Sequence, residues 1–537
     1  MSIKAMGQVF TPVKIVNIIL DNIGYKGKNI LTKKIIEPSF GKGVFLIEIV
    51  NRIIEESRKQ NKNNEEIKNI IVNNVFGVEI DEALYNETIR SLNLLLLDKG
   101  IPNIDFSKNL FNDDAIKMCK TFNIKFDYVV GNPPYVRIHN IEKEDRRGLK
   151  LFPFTTGTTD LYVVFYAIGI YLLNDSGILG YITPNSFLRN KSQNAFRNYL
   201  IEEKLIQKIY DFKSSCVFKN AATYTCICIL NKSDDKNKEI EWKEYNVYDV
   251  VSENTYKYDL FKKSFFDKPW ILSNKSNTKF LNDISKNKYF LGDFTCVQNG
   301  ISTNKDSIFI GKAFLDKNCK TQYDYLKDNV NYVYFNGFKI EAKILKPCIK
   351  ASKLNDKNKY IIFPYEPKKE VNINKSNKKI FSNFKPITED IIKKIYPFTY
   401  KYLLYNKEIL SRRDMEKNTP WYCFARSQGL LNLGYKKIVF NRIISKNSCM
   451  KNNILIANED TVVYSGFYIT LPIEKFFISN DNCLDVDLYS SKLLDVKNVI
   501  VSDDFYKYCC LSGKDMSGNY ISVSTKTVKD YKINVII

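Results

Sequence analysis

Short apolar runs alternate with longer amphipathic stretches through the first part of the chain. "KIIEPSF" reads as a strand, "GVFLIEIVNRIIEESRKQ" as a helix, "NVFGVEI" as a strand and "DEALYNETIRSLNLLLLDKG" as a helix. "FDYVVG" is then a strand, "DLYVVFYAIGIYLLND" a helix and "GILGYITP" a strand, with "IQKIYDF" and "TYTCICILN" as closing strands. Strand–helix alternation predicts βαβ units and a mainly parallel sheet. From Lys232 to Glu244 the chain turns charged and polar ("KSDDKNKEIEWKE"), which sets the expected edge of the first domain near residue 240. The second part has short strand-like runs rich in Tyr, Phe and Lys: "NYVYFNG", "KYIIFPYE", "KKIVFNRI" and "TVVYSGFYITL". Residues 241–537 are therefore expected to hold a linker and an α+β, β-rich domain with a basic surface studded with aromatics.

Composition sharpens this picture. A chain of 537 residues exceeds one ordinary core, and 44% hydrophobic content suffices for two or more. The formal charge of +22 points to a polyanionic partner, nucleic acid first, although Lys- and Asn-rich composition accounts for part of the excess. No window of about 18 apolar residues predicts a membrane span, and no secretory signal is visible. The 12 cysteines are scattered without a CxxC pair, and the chain's single histidine is His139. That combination predicts reduced structural thiols, no metal site and no catalysis by histidine.

Candidate chemistry sits at predicted strand ends. In "IIEPSFGKGVFL" a strand ends at Glu37, and a turn with Gly41 and Gly43 leads into a helix whose first N–H groups are free. Alone this is an ordinary strand-to-helix turn. In "VFGVEIDEA", Glu79 ends the next strand, where a carboxylate can accept hydrogen bonds from two ribose hydroxyls, and Asp81 suits a helix N-cap. Together these favour a nucleoside-bearing cofactor. In "LFNDDAI", Asp114 can meet the exocyclic amine of an adenine, but is as readily a solvated turn.

"FDYVVGNPPYVR" ends the fourth strand. Pro133 and Pro134 add carbonyls without donors at fixed φ. Asn132 Oδ1 and the Pro133 carbonyl can accept both hydrogens of one amino group, and Tyr135 can lie against a flat base. An aromatic amine delocalises its lone pair into the ring; two acceptors favour the tetrahedral form and aim the lone pair at an electrophile. Without the upstream glycines and Glu79, a strand-terminating turn would be the better reading.

At these residues the sequence resembles the amino-group DNA methyltransferases that use S-adenosylmethionine, whose catalytic motif is Asn-Pro-Pro-Tyr. The order "GQVFTP" (Gly7–Pro12), "EPSFGKG", "GVEID", "NDDAI", "NPPY" and then a large C-terminal segment resembles the gamma class of N6-adenine enzymes with a TaqI-like specificity domain. The resemblance implies a Rossmann-like catalytic domain over 1–240 and a target-recognition domain over 241–537. It also implies that Thr11 binds the cofactor carboxylate and that Glu37, Gly41 and Gly43 line the methionine part. Glu79 would bind the ribose, Ile80 the adenine face, and Asp114 with Ala115 the adenine edge. Pro134 would pack near the cofactor, Asp160 would lie near the methionine amine, and Phe218 would be a second aromatic against the target base. Lys42 departs from the small or acidic residue many relatives carry.

The same resemblance implies in-line transfer to an extruded adenine in double-stranded DNA by Asn132, Pro133, Pro134 and Tyr135, leaving S-adenosylhomocysteine. The setting would be restriction–modification, with a separate cognate endonuclease as partner, or solitary epigenetic marking. The enzyme would be a monomeric, cytoplasmic, nucleoid-associated protein. Base-reading candidates in the C-terminal half are Asn299, Ser302, Asn304, Lys305, Arg412, Arg413, Arg426 and Gln428, each individually better explained as a solvated or structural residue. Rival readings are methylation of RNA or of protein glutamine, or a DNA-binding homologue that has lost catalysis.

Overall fold

The computed structural model describes residues 11–136, 153–155, 160–213, 217–218, 223–232, 239–244, 255–258, 265–356, 358–373, 376–426, 428–478, 483–516 and 518–537. His139 and Gly7–Phe10 lie outside the described residues. The chain divides into two compact units, Met1–Lys275 and Ser276–Ile537.

Unit 1 is built on one nine-stranded sheet. Its strands are β1 (Ile35–Glu37), β2 (Val75–Glu79), β3 (Leu110–Asn112), β4 (Phe126–Gly131), β5 (Leu173–Pro184), β6 (Ile206–Asp211), β7 (Thr225–Asn231), β8 (Ile240–Glu244) and β9 (Thr255–Tyr258). The lateral order is β3-β2-β1-β4-β5-β7-β6-β8-β9. Strands β1 to β5 run parallel, and β7 enters antiparallel between β5 and β6. The helices are α1 (Val13–Asn22), α2 (Val44–Lys59), α3 (Asn64–Asn74), α4 (Glu82–Asp98), α5 (Ala115–Met118), α6 (Leu161–Leu172) and α7 (Asn194–Glu202).

Alternation along the strands loads both faces. Ile35 and Val130 pack in the core that holds α1 and α2, while Ile36 and Val129 pack in the core that holds α6. Burying such side chains stabilises by roughly 1.5–3 kcal/mol each, before conformational entropy is counted. Helix α6 is buried on nearly all sides, which matches its continuous apolar sequence. The start of α3 carries its own signal, a capping box in which Asn63 and Glu66 satisfy each other's backbone N–H groups.

The expected domain edge near 240 is too early. Strand β8 pairs parallel with β6, and β9 pairs with β8. Trp242 and Trp270 are fully buried in the same core as α6. Arg197 of α7, also fully buried, donates to the Lys268 carbonyl at 3.1 Å and to those of Phe187 and Asn190 at 2.5 and 2.8 Å, fastening the segment after β9 onto unit 1. Polarity misleads here because β8 presents alternate residues, Glu241 and Lys243, to a less buried face.

Unit 2 is a patchwork of small sheets. One four-stranded sheet joins Cys296–Asn299, Phe467–Thr470, Lys437–Phe440 and Ile454–Ala457; another joins Ile310–Gly311, Lys359–Ile362, Leu345–Lys350 and Val462–Tyr464. The run "TVVYSGFYITL" feeds both sheets, because Ser465 and Gly466 take positive φ and split it in two. Lys437 is fully buried, with its Nζ donating to the backbone carbonyls of Leu433, Asn458, Glu459 and Thr461. Burial pushes that amine down to about 7.

Candidate active site

The polar residues at the carboxyl ends of β3, β2, β1 and β4 lie side by side because those strands are neighbours. Glu79 ends β2 and is buried; its Oε2 accepts the Gly41 amide at 2.7 Å and its Oε1 accepts the Asp81 amide at 2.9 Å. Burial raises its pKa, and those amides work against the rise. Asp81 caps α4 by accepting from Leu84 N–H, as its position in the sequence suggests.

The two glycines of the first turn do different work. Both have positive φ, +53° at Gly41 and +68° at Gly43. A Cβ at Gly43 would overlap the Thr88 methyl and lie 3.0 Å from its hydroxyl, whereas a Cβ at Gly41 would meet nothing within 4 Å among the described residues. Gly43 is therefore small so that α4 can pack. Gly41 keeps open space beside its backbone, and Thr88 Oγ1 donates to the Gly41 carbonyl at 2.9 Å, fixing the turn. Thr88 carries no motif signal; only its place on the buried side of α4 reveals it.

Glu37 ends β1 and is buried. Its Oε2 has no hydrogen-bond partner among the described residues. Burial raises its pKa well above the ordinary 4.5, with the nearby Glu79 carboxylate adding to the rise and the Leu46 amide opposing it. A buried carboxylate with an unused oxygen favours an incoming cation or donor. Gly131 borders this group: a Cβ there would lie 3.4 Å from Glu37 Cγ.

Asn132 follows Gly131 directly. Its Oδ1 is buried, Pro133 is buried and Pro134 is half-buried. Tyr135 is anchored through its hydroxyl, which donates to the Ile182 carbonyl at 3.3 Å. Phe218 is buried, with its ring 6.3 Å from that of Tyr135 and inclined at 63°. The two aromatics thus meet edge to face, not as parallel walls.

The remaining candidates sit around this line. Ile80 is 64% exposed immediately after buried Glu79, and Ala115 is buried. Asp114 caps α5, its Oδ1 accepting from Ile116 N–H at 2.9 Å, so that oxygen has a backbone task already. The Asp114 turn is tied to β2, because Asn112 Nδ2 and the Asp113 amide both donate to the Glu79 carbonyl. Asp160 is the N-cap residue of α6, and Leu161 N–H donates to the Val136 carbonyl, which binds the start of α6 to the segment after Tyr135. Thr11 is buried just ahead of α1.

In unit 2, three loops bearing the C-terminal candidates converge. Ser302 bridges to Arg426, and Asn304 donates to the Asp414 carbonyl at 3.1 Å. Gln428 is exposed at the start of a turn whose Gly429 packs on the Ile301 backbone. Asn299 and Lys305 are exposed at the two ends of the first loop. Arg412 is exposed and pairs with Glu408. Arg413 differs: it is buried and donates to the carbonyls of Leu410, Thr303, Trp421 and Cys423. Its guanidinium is a structural fastener, so it is withdrawn as a base-reading candidate.

A parallel β3-β2-β1-β4-β5 sheet with an antiparallel β7 defines a Rossmann-like domain, which a further domain follows. Residues 73–218 match the family model described as Eco57I restriction-modification methylase. The chain is 26% identical over 547 residues to the type II restriction enzyme and methyltransferase RM.Eco57I of Escherichia coli, covering 86% of this chain and 53% of that protein. It is 27% identical over 345 residues to the type II methyltransferase M.BstVI of Geobacillus stearothermophilus, covering 58% of this chain and 60% of the relative. The chain thus spans between half and two thirds of the length of these curated relatives. Among solved structures, the type IIL restriction-modification enzyme MmeI in complex with DNA is similar in fold, with TM-score 0.59 and 13% identity over 96% of this chain and 65% of that one.

Proposed function

We propose that this chain is a DNA methyltransferase that moves the methyl group of S-adenosylmethionine to the N6 amine of an adenine in double-stranded DNA. One adjacency carries the reading: β1 pairs with β4, and Glu37 lies against Gly131, the residue before Asn132. A methyl donor held over the β1 and β2 ends is thereby next to an amine held at the β4 end.

The residues present fit that donor. Glu37 Oε2, buried without a hydrogen-bond partner among the described residues, suits the cofactor's ammonium group, with Asp160 and Thr11 toward the same amino-acid end. Glu79 keeps lone pairs for ribose hydroxyls beyond its two amide bonds. Exposed Ile80 offers an apolar face for adenine, Ala115 and the second carboxylate oxygen of Asp114 its edge, and Gly41 and Gly43 the turn beneath. When bound, the cofactor supplies a strongly electrophilic methyl group and leaves as S-adenosylhomocysteine.

The chain's own work is positioning. Asn132 Oδ1 and the Pro133 carbonyl accept both hydrogens of the adenine amine and aim its lone pair; Pro133 and Pro134 bring no N–H to compete. Extruding the base from the duplex costs a few kcal/mol, and stacking on aromatics returns roughly 1–3 kcal/mol. Tyr135 supplies that face, and Phe218 must turn from its inclined packing to become a second wall. The charge of +22 supplies phosphate affinity, and unit 2 supplies target recognition. The relatives' names favour a restriction–modification setting; in this reading the protein acts as a cytoplasmic monomer alongside a separate cognate endonuclease.

The test is to express the chain in a host without DNA methylation and map modified bases, with Asn132→Ala as control. N6-methyladenine in one short motif, absent in the control while the control still binds S-adenosylhomocysteine, is the expected result. Unmodified DNA from a folded, cofactor-binding protein would overturn it.

A further inference from the structure

We propose that Arg426 reads a guanine edge, held ready by Asp414 on a platform of three loops that buried Arg413 fastens together. The proposal rests on the chain acting on DNA, and adds which unit 2 residue sets one position of the target.

The donors decide the geometry. Arg426 Nη1 donates to the Asp414 carbonyl at 3.1 Å and the Ala425 carbonyl at 3.2 Å, and Nη2 donates to Asp414 Oδ2. Because one residue, Asp414, takes both terminal nitrogens, it occupies the outer end of the guanidinium. Among the described residues, the Nε–H and the second Nη2–H, parallel donors on the side edge, remain for a ligand. Two parallel donors match guanine N7 and O6 in the major groove. The side chain is 40% exposed.

The same fork would also fit a phosphate, but the surroundings argue otherwise. The Asp414 carboxylate is 82% exposed beside it, so a bound anion would meet a like charge. A neutral base edge avoids that repulsion.

The platform is preorganised. Asn304, at φ +54°, donates through Nδ2 to the Asp414 carbonyl, and its Oδ1 accepts from Ser302 Oγ at 2.9 Å. Ser302 in turn bridges to Arg426. Beneath them Arg413 joins the loop at Thr303, the loop after Leu410 and the segment at Trp421–Cys423. A reading residue held by bonded neighbours loses little side-chain freedom on binding, which is how a single contact gains discrimination.

The experiment begins with the motif the wild-type enzyme methylates. Duplexes in which each guanine of the motif is replaced by 7-deazaguanine, which lacks the N7 acceptor, are then titrated against wild type and Arg426→Ala. At one position the replacement should weaken wild-type binding about 5- to 150-fold and leave Arg426→Ala unaffected. Asp414→Asn should lose part of the same discrimination. Matching melting curves establish that the variants fold. A motif without a G·C pair would overturn the proposal, as would a variant that keeps full sensitivity at every guanine. A uniform loss of affinity for all DNA, with the motif unchanged, would make Arg426 a phosphate contact and overturn base reading. A wild-type protein that binds cofactor but neither binds nor methylates DNA would overturn the DNA methyltransferase reading instead.

Discussion

Unit 1 and unit 2 each gather polar side chains, by opposite means. In unit 1, Asn112, Glu79, Glu37 and Asn132 come off the ends of or just after four neighbouring strands, so the sheet order itself sets them in a row. In unit 2, Ser302, Asn304, Asp414 and Arg426 come from loops between small sheets, and a buried arginine holds those loops. A row made by sheet topology tolerates the loss of any one side chain. A cluster made by a fastener depends on the fastener, and that asymmetry can be tested.

Arg413→Met should produce the largest effect. It strands four backbone carbonyls, and each buried acceptor left without a donor costs about 1–3 kcal/mol. Hydrogen exchange should speed up in the loops at 303, 414 and 426 while cofactor binding by unit 1 is kept. Equal loss of protection in both units would contradict the comparison.

Next, Gly43→Ala should cost about 1–3 kcal/mol in thermal unfolding, since it combines positive φ with a clash at Thr88. Gly41→Ala has the strain without the clash and should cost about 1 kcal/mol. Its clearer signature is weaker cofactor binding. If the two variants melt alike, the division of labour between the glycines is wrong.

Glu37 gives a pH signature. Its folded pKa is raised, so the ligand-free protein holds a proton there that the unfolded chain gives up above about 4.5. That contribution to stability is present below 4.5 and is lost as pH rises toward the folded value. Binding of a cationic amine requires the ionised form, so S-adenosylhomocysteine affinity should rise up to about tenfold per pH unit until Glu37 ionises unaided. Calorimetry on Glu37→Gln should give a flat profile; an unchanged slope would assign the titration elsewhere.

The smallest effect belongs to Arg412→Ala, next to the fastener in sequence. Its exposed pair with Glu408 is one helical turn long, so stability should change by less than about 0.5 kcal/mol.

Much of unit 1 is legible in the sequence because its strands are apolar runs punctuated by helices. "FDYVVG" forms β4 with both ends unshifted, and Glu37 and Glu79 do close β1 and β2. Strand β8 looks like linker in the sequence because an outlying strand with charged alternate residues resembles a polar segment. Helices α1, α3 and α7 escape the apolar pattern, although α3 announces itself through Asn63 and Glu66. Arg412 and Arg413 are indistinguishable in sequence; only the fold decides which of two adjacent arginines turns inward. The edge-to-face packing of Tyr135 on Phe218 likewise joins segments far apart in the chain, which local pattern cannot encode.

The burial of Lys437 has a practical consequence. Amine-acylating reagents will decorate the many surface lysines of this chain within minutes, yet Lys437 is sealed among four carbonyls and becomes reactive only when the strand that carries it opens. The extent of its labelling, followed by mass spectrometry, is therefore a built-in clock for the opening of unit 2 that requires no engineered probe.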